Sequence, residues 1–544
     1  DMYNTAVGFH SGLYITTGTQ NTLIGGLTGD ALTTGGLNVA LGYGALTTDD
    51  VGSKSVAIGH STLAVQNYAT ATDSFNTAVG HSAGAGVTTG VGNTLIGGLA
   101  GDALTDADYN VAVGKNALSS DTLGSFNTAV GINALESQNF TTATSSYNTA
   151  IGALAGGAVT TGERNTFIGG ATGGSTTSGV RNIAVGFQAL TTNVLGSRSV
   201  AVGYNALSIQ NYATATDGFN TAVGHEAGAA VTTGIENTLV GALAGDALTD
   251  ADYNTAIGYL ALSGDTLGSR SVAIGRSALQ VQNFTTATNA YNVGIGFQTG
   301  DSITTGVENV LVGGLAGDAL TDADYNIAIG TAALSADTLG SRSIAIGQGA
   351  LGAQNFTTAT DTYNVAIGYG AGDSVTTGIQ NTLIGSLAGD SLTDADFNTA
   401  VGMSALGADT LGSRNVAIGS GALSTQNFTT ATDAYNTAVG YGAGDLVTTG
   451  IQNTFVGGLS GDALIDADYN VAVGMGALGS DTYGSRSTAI GRNALYTQNF
   501  TTAADSWNTA VGFAAGEAVT TGTANTLIGG LAGDLITTGY SNVA

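Results

Sequence analysis

Aspartate side chains recur in sets of three and form the most suggestive chemical pattern in the sequence. The first set is Asp102, Asp106 and Asp108. The same spacing returns at Asp246, Asp250 and Asp252, at Asp318, Asp322 and Asp324, at Asp390, Asp394 and Asp396, and at Asp462, Asp466 and Asp468. Carboxylates gathered on one turn are ligands that Ca²⁺ prefers. Two interpretations stay open: a calcium site in each set, and aspartates that cap turns by accepting hydrogen bonds from nearby N–H groups.

Other side chains suited to catalysis or metal binding are sparse. Histidine occurs at His10, His60, His81 and His225, and only His60 and His81 hold equivalent positions in neighbouring repeats. No Ser-His-Asp set recurs and cysteine is absent, so the usual nucleophile–base pairs cannot be assembled. The Gly-rich stretch 97–102 carries no lysine and precedes no helical pattern, unlike a phosphate-binding loop. The sequence therefore predicts a protein that is not an enzyme and has no cofactor other than the calcium considered above.

A five-residue pattern, which we call the pentad, positions all of these residues. It reads Asn-Thr-Ala-Val-Gly at Asn4 and Ser-Val-Ala-Ile-Gly at Ser55, and it occurs 31 times, the last copy being incomplete. Successive pentads begin 17, 17, 17 and 21 residues apart, which gives 72-residue repeats beginning near 4, 76, 148, 220, 292, 364, 436 and 508. A short fixed period of this kind is typical of solenoids. We therefore predict one continuous repeat array over residues 1–544.

Each period of 17 or 21 residues, which we call a rung, is expected to form one coil of β-structure. β-Branched residues and glycine are dense, proline is absent, and no helical periodicity persists. All 30 complete pentads end in glycine, which predicts a positive φ or a contact too close for a Cβ atom, as at Gly8, Gly25, Gly42 and Gly59. The leading Asn is expected to stack as an amide ladder or to close a turn. The predicted fold class is all-β, a parallel β-solenoid with about 17 residues per coil.

The middle of the pentad is apolar on both faces of the expected strand. Successive strand side chains point to opposite faces, and a solitary solenoid would keep one face polar. We expect position four to fill the coil and position three, mostly Ala, to face another chain. Position four is represented by Val7, Ile24, Leu41 and Ile58, and the larger residues at position three by Leu23, Leu95, Phe167 and Leu239. Two arrangements stay open: a parallel homotrimer, and a monomer whose Ala face packs on its own return strand.

Every fourth rung carries four extra residues, and each insertion holds an aromatic residue. These aromatics are Tyr68, Phe140, Tyr212, Phe284, Phe356, Phe428 and Phe500. Exposed rings would form a row able to contact glycans or a protein receptor; the alternative is that each ring folds back over the coil. We place receptor contacts on the segments 66–72, 138–144, 210–216, 282–288, 354–360, 426–432 and 498–504. Deleting four residues from one insertion is expected to leave the chain folded.

The charge balance limits the partners. Lys and Arg total 11 against 39 Asp and Glu, for a net charge of −28. Such a surface disfavours nucleic acid and anionic lipid, and no apolar run reaches the roughly 18 residues of a membrane span. The recurring basic residue of Gly-Ser-Arg, as at Arg270 and Arg342, is expected to pair with a carboxylate such as Asp265 or Asp337.

The pentads, followed by Ala two to three residues later and by Thr-Gly turns, resemble two groups of repeats. One group is the head of YadA-like trimeric autotransporter adhesins, and the other is the Asn-Thr-Ala-Val-Gly arrays of bacteriophage tail-fibre proteins. The resemblance covers the whole chain and implies a left-handed parallel β-roll that trimerises through its inner strands. The chain departs from the adhesin head in its longer coils, in its 72-residue repeat, and in showing neither neck nor anchor.

Together these observations predict a structural and adhesive extracellular fibre on a bacterial cell surface or a virion. Its partners would be further copies of itself and a cell-surface glycan or protein receptor. The chain begins and ends inside the repeat pattern, so we expect it to be part of a longer fibre. The alternatives are the shaft of a phage tail fibre and a solenoid that binds polysaccharide or ice.

Overall fold

The computed structural model describes residues 2–544, which divide into two compact units. Unit 1 comprises 2–270 together with Phe284–Thr288, and unit 2 comprises Ser271–Asn283 together with Asn289–Ala544. The described residues contain no helix, and their regular elements are strands of two or three residues. Every three-residue strand coincides with positions two to four of a pentad.

Unit 1 contains fifteen of these pentad strands. They are Thr5–Val7, Thr22–Ile24, Val39–Leu41, Val56–Ile58, Thr77–Val79, Thr94–Ile96, Val111–Val113, Thr128–Val130, Thr149–Ile151, Thr166–Ile168, Ile183–Val185, Val200–Val202, Thr221–Val223, Thr238–Val240 and Thr255–Ile257.

Unit 2 contains fifteen more. They are Val272–Ile274, Val293–Ile295, Val310–Val312, Ile327–Ile329, Ile344–Ile346, Val365–Ile367, Thr382–Ile384, Thr399–Val401, Val416–Ile418, Thr437–Val439, Thr454–Val456, Val471–Val473, Thr488–Ile490, Thr509–Val511 and Thr526–Ile528.

Each insertion is associated with two strands of two residues, one on the preceding rung and one at the end of the insertion. Those before the insertions are Gly52–Ser53, Gly124–Ser125, Gly196–Ser197, Gly268–Ser269, Gly340–Ser341, Gly412–Ser413 and Gly484–Ser485. Those at the ends of the insertions are Thr72–Asp73, Thr144–Ser145, Thr216–Asp217, Thr288–Asn289, Thr360–Asp361, Thr432–Asp433 and Ala504–Asp505. In the first repeat Gly52 pairs with Thr72 in parallel, so the end of the insertion is part of the hydrogen-bonded coil.

Neighbouring pentad strands within each unit pair in parallel, with equivalent residues side by side. Thr5 pairs with Thr22 in unit 1 and Val365 with Thr382 in unit 2, so each pairing advances the chain by one short rung. The pairing advances by one long rung where an insertion intervenes, as between Val56 and Thr77. Each unit is therefore a parallel β-solenoid with one pentad per coil, which confirms the predicted fold class.

Position three of the pentad fills the interior of the coil, the reverse of the expected arrangement. Ala57, Ala345 and Phe167 are completely buried, whereas Ile24 and Leu41 at position four are exposed. Strand alternation fixes which residues share a face but not which face points inward. At Gly294, where position three is glycine, an added Cβ would lie 2.8 Å from Cγ of Leu279. At this rung the interior of the coil therefore has no space for a side chain at position three.

The pentad glycines and asparagines have the structural roles that were predicted. Gly8 has a φ of +138°, and an added Cβ would lie 2.1 Å from the carbonyl oxygen of Gly25 on the next rung. The backbone N–H of Asn21 donates to Oδ1 of Asn4 at 2.8 Å, and Asn21 Nδ2 donates to the carbonyl of Gly35 at 3.0 Å. The buried asparagines thus form ladders of amides, interrupted where Ser replaces Asn, and most also tie their pentads to a carbonyl fourteen residues later in the same coil.

Candidate interaction surface

The outward side of each pentad strand is formed by positions two and four, which together we call the pentad face. Position two is Thr, Val or Ile in all 31 pentads, and position four is Val or Ile in all but one of the 30 complete copies, Leu41 being the exception. Many of these apolar side chains are exposed, among them Ile96 at 40% and Ile418 at 38%. A sheet face in contact with water normally alternates apolar with polar residues. Each unit therefore presents a wide β-branched surface without a single charge, and surfaces of this kind mark interaction sites.

A column of residues with positive φ borders the pentad face, one residue before each pentad; we call it the corner column. From Tyr291 to Trp507 in unit 2 it alternates aromatic residues with Arg, Gln and Glu. The guanidinium of Arg342 lies 4.6 Å from the ring centre of Tyr325 and 6.0 Å from that of Tyr363. Arg486 is placed in the same way between Tyr469 and Trp507. The rings of the corner column therefore stack along it and direct their faces at their neighbours.

Five basic residues of the corner column pair with aspartates at the ends of the insertions. Arg342 Nε lies 3.1 Å from Asp361 Oδ1, and Lys54 Nζ lies 2.7 Å from Asp73 Oδ2. Equivalent pairs join Arg198 to Asp217, Arg414 to Asp433 and Arg486 to Asp505. The expected pairing of Arg342 with Asp337 is wrong, because Asp337 is completely buried and accepts hydrogen bonds from Gln354, Gly340 and Phe356. Asp265 is completely buried as well.

A second exposed column borders the pentad face on its other side, one residue after each pentad glycine. The rings of Tyr43, His60 and His81 stack here, with 5.5 Å and 5.3 Å between successive centres. Tyr204 and His225 stack in the same way. Histidine thus takes a place that aromatic residues hold in other rungs, which is a packing role.

The three aspartates of each acidic set separate into different environments. Asp106 Oδ1 accepts a hydrogen bond from Thr89 Oγ1 at 2.5 Å, and Asp108 Oδ1 accepts one from the backbone N–H of Val91 at 2.8 Å. Asp250 and Asp252 repeat these contacts in the next set. Both residues therefore tie a turn to the preceding rung.

The first aspartate of each set lies apart from this turn. Burial raises the pKa of the Asp102 and Asp246 carboxyls above their ordinary value. Among residues 2–544, no three His, Asp or Glu side chains form a group that could hold a metal ion. The sets at Asp102, Asp106, Asp108 and at Asp246, Asp250, Asp252 are consequently not assembled into the calcium sites that were considered.

The aromatic residues of the insertions are interior residues, so of the two arrangements left open by the sequence the rings adopt the one that folds back over the coil. Tyr68, Phe140, Tyr212, Phe284, Phe356, Phe428 and Phe500 are all between 5% and 8% exposed. Each ring folds back over the coil, and Tyr68 Oη donates to the carbonyl of Gly90 at 2.8 Å. Only the Asn before each ring and the three residues after it reach the surface. Receptor contacts at the insertions would have to be made by those residues and not by the rings.

A buried polar network anchors each insertion, and sequence reasoning missed it. Gln66 Nε2 donates to Asp49 Oδ2 at 2.6 Å, and Gln66 Oε1 accepts from Asn76 Nδ2 at 2.9 Å. Gln138 with Asp121, Gln354 with Asp337, Gln426 with Asp409 and Gln498 with Asp481 repeat the first contact. The signal was present, because a glutamine precedes the Asn of every insertion and lies one short rung after an Asp or, once, after Asn193.

Shallow grooves open beside the second column at a few rungs. One of them has a volume of about 290 Å³ and is lined by Leu459, Asp462, Met475, Asn493 and Tyr496 over a floor of two glycines. A smaller groove of about 240 Å³ lies at Gln348, Tyr369 and Asp373 in unit 2, and another of about 240 Å³ at Gln188, Asn205 and Ile209 in unit 1. All three combine apolar and polar side chains.

Two further findings bear on function. Within residues 2–544 no helix is long and apolar enough to cross a membrane. Compared with known proteins, the chain matches no family model and no curated protein at a significant level. The function is therefore inferred from the geometry of the pentad face and of the surfaces beside it.

Proposed function

We propose that the chain is a structural and adhesive segment of an extracellular fibre, in which the pentad faces of three parallel copies pack against one another. The observation that carries this proposal is the unbroken β-branched composition of the pentad face. Many Val and Ile side chains of this face are exposed to water. Burying them against a partner would stabilise the assembly by roughly 25 cal/mol for every Å² of apolar surface removed from water. Identical chains are suitable partners because each presents the same face at the same rung spacing, so a parallel arrangement matches every rung.

The composition of the pentad face supports self-association over binding to a polar ligand. It carries no charged side chain and, apart from Thr hydroxyls, no hydrogen-bonding side chain. The flanking columns are polar or aromatic and include Arg342 and Tyr363, which suit the rim of an interface. The resemblance to YadA-like heads and to phage tail-fibre arrays agrees with a trimer and with a place on a bacterial surface or a virion.

The mass of the full chain in solution tests the oligomer. Sedimentation equilibrium at micromolar concentration is expected to give three times the chain mass. Replacing Ile329, Ile346 and Ile367 by Asp should convert the trimer to a monomer, because it places charges on three consecutive rungs of the pentad face. The matched control carries three Asp at Thr357, Thr358 and Ala359, exposed residues of one insertion, and should remain a trimer.

Two results would contradict the proposal. One is a stable monomer of the unaltered chain, and the other is equal dissociation of both variants. Circular dichroism must show β-structure in every sample, so that loss of assembly is not confused with unfolding. A monomer that inhibits ice recrystallisation through the same face would instead favour the ice-binding alternative, which the Thr residues at position two make worth testing.

A further inference from the structure

The groove at Asp462 departs from the repeat pattern that governs the rest of the chain. Tyr496 is the only aromatic among the seven residues at its position, the others being Ala64, Glu136, Ser208, Gln280, Gly352 and Ser424. The rung before it has glycine at both Gly476 and Gly479, where the preceding repeat has Ser404 and Gly407. A repeat protein needs no such change for its fold, since the other repeats form the same coil without it.

The three polar side chains of the groove converge on the glycine floor. A Cβ added at Gly479 would lie 3.1 Å from Cε2 of Tyr496 and 3.3 Å from Oδ1 of Asp462. A Cβ added at Gly476 would lie 3.0 Å from Oδ1 of Asn493 and 3.5 Å from Cδ2 of Tyr496. The carboxylate, the amide and the edge of the ring therefore surround one small space that side chains at either glycine would occupy.

Neighbouring residues hold these groups in place. Asn493 Nδ2 donates to Glu517 Oε1 on the next rung at 3.3 Å, which leaves one amide hydrogen and the amide oxygen free to turn to the groove. Leu459 and Met475 supply apolar walls and are both exposed. Tyr496 adds an aromatic surface with a hydroxyl at its tip.

We propose that this groove binds one neutral hexose unit of a surface glycan. The proposal rests on the adhesive function proposed above and names its ligand class. Sugar hydroxyls donate and accept hydrogen bonds together, and the groove offers a carboxylate acceptor, an amide that does both and a phenol. The apolar C–H side of a hexose fits an aromatic ring and aliphatic walls. A volume of about 290 Å³ holds one such ring, and a net charge of −28 disfavours an anionic sugar.

Binding of methyl glycosides to the full chain tests the assignment. Saturation-transfer NMR and calorimetry would use the methyl glycosides of glucose, galactose, mannose and N-acetylglucosamine. At least one should bind saturably with one site per chain, and Tyr496→Ser should weaken it at least tenfold. Serine occupies the same position at Ser424, so the substitution is compatible with the coil. Gly479→Ser, which copies Ser335 of an earlier repeat, should fill the floor and weaken binding as much.

A gain of binding gives the sharper test. The changes Ser404→Gly, Gly421→Asn and Ser424→Tyr rebuild the groove in the preceding repeat, where Asp390 is the counterpart of Asp462. The variant should bind two hexoses per chain in place of one. Saturable binding to none of the four glycosides, wild-type affinity in Tyr496→Ser, or preferred binding of tetramethylammonium would each overturn the assignment. Sedimentation of the same samples separates the two proposals, because assembly without sugar binding contradicts only this one.

Discussion

Gln66 and Asp49 lie on neighbouring rungs and meet in the interior, where Gln66 Nε2 donates to Asp49 Oδ2 at 2.6 Å. The same glutamine accepts from Asn76, the first amide of the next ladder. Asn93 then donates its backbone N–H to Asn76 Oδ1. The side-chain amides of Gln66 and Asn76 therefore point in the same direction along the ladder. A carboxylate thus lies at the N–H end of this amide ladder, in the way that an acidic residue caps the start of a helix.

Removing the bridging glutamine should destabilise its rung. Gln354→Leu keeps the volume but leaves Asp337 Oδ2 without its closest donor and Asn364 Nδ2 with one acceptor fewer. Each buried polar group left unsatisfied costs about 1–3 kcal/mol. Hydrogen exchange of the amides around 337–364 should accelerate accordingly. Gln380→Leu is the control, since Gln380 is exposed, and equal effects of the two changes would refute the role of the bridge.

The buried aspartate should make stability depend on pH. Burial raises the pKa of Asp481 above its ordinary value of 3.8, against the opposing effect of hydrogen bonds from Phe500 and Gln498. The folded state therefore binds the proton of Asp481 more tightly than the unfolded state does. The stability that this proton contributes is complete below pH 3.8 and is lost as the pH rises through the pKa of the folded state. Asp481→Asn should gain stability relative to the unaltered chain between pH 3 and pH 7, measured by urea unfolding.

The chain supplies the reciprocal control for that measurement. Asn193 holds the equivalent position, and its amide accepts from the N–H of Gly196 and donates to the carbonyl of Gly196, both at 3.0 Å. Asn193→Asp should therefore lose stability over the same pH range in which Asp481→Asn gains it. Parallel pH profiles for the two variants would show that the carboxyl is not the cause.

Neighbouring glycines should respond differently to the same substitution. Gly457 ends a pentad with a φ of +137°, and an added Cβ would lie 2.6 Å from the carbonyl carbon of Gly474. Gly458, the next residue, has only the carbonyl oxygen of Tyr441 nearby, at 3.9 Å. Gly457→Ala should cost about 3 kcal/mol or more, while Gly458→Ala should be nearly neutral. Equal melting temperatures for the two variants would contradict the close contact.

A charge at position three of a pentad should disrupt the folded structure of its rung, in addition to any effect on assembly. The sequence alone predicts that Ala273→Asp or Ala345→Asp blocks trimer formation, but both alanines are completely buried inside the coil. An isolated polar group there costs about 2–7 kcal/mol. Ala345→Asp should lose ordered structure near its rung by hydrogen exchange, whereas Ile346→Asp, one residue further on the pentad face, should keep it.

The insertion should be indispensable, against the expectation from the sequence. Deleting residues 355–358 removes Phe356, whose ring is 7% exposed, and displaces the strand that pairs with Gly340–Ser341. The melting temperature should fall as much as when a deletion of the same length is made in a rung without an insertion. Replacing the exposed Thr357 and Thr358 by Ser should leave it unchanged.

Periodicity in the sequence was sufficient to predict the fold class and the roles of the pentad Asn and Gly. A residue type that recurs at the same place in every coil indicates one backbone conformation or contact that every coil requires. It did not reveal which strand face points inward. Val56, Ala57 and Ile58 fit either orientation until the width of the coil is known, and that width depends on how Leu63 and its equivalents pack from the opposite wall. The sequence also left open whether the aromatics of the insertions are exposed or buried, because their spacing by whole repeats is the same whether they point inward or outward.

The buried contact between an Asp and a Gln on neighbouring rungs, which recurs along the chain, also limits how such a chain can change in length during evolution. A recombination that adds or removes one complete repeat of four rungs joins a ladder end to an equivalent ladder start, so every buried amide finds the partner it had before. Removing only the rung that holds the Asp, or only the rung that holds the Gln, would leave the other residue without its partner. Related repeat proteins should therefore keep these two rungs together and differ in length by whole repeats, which makes the repeat a unit of inheritance as well as of structure.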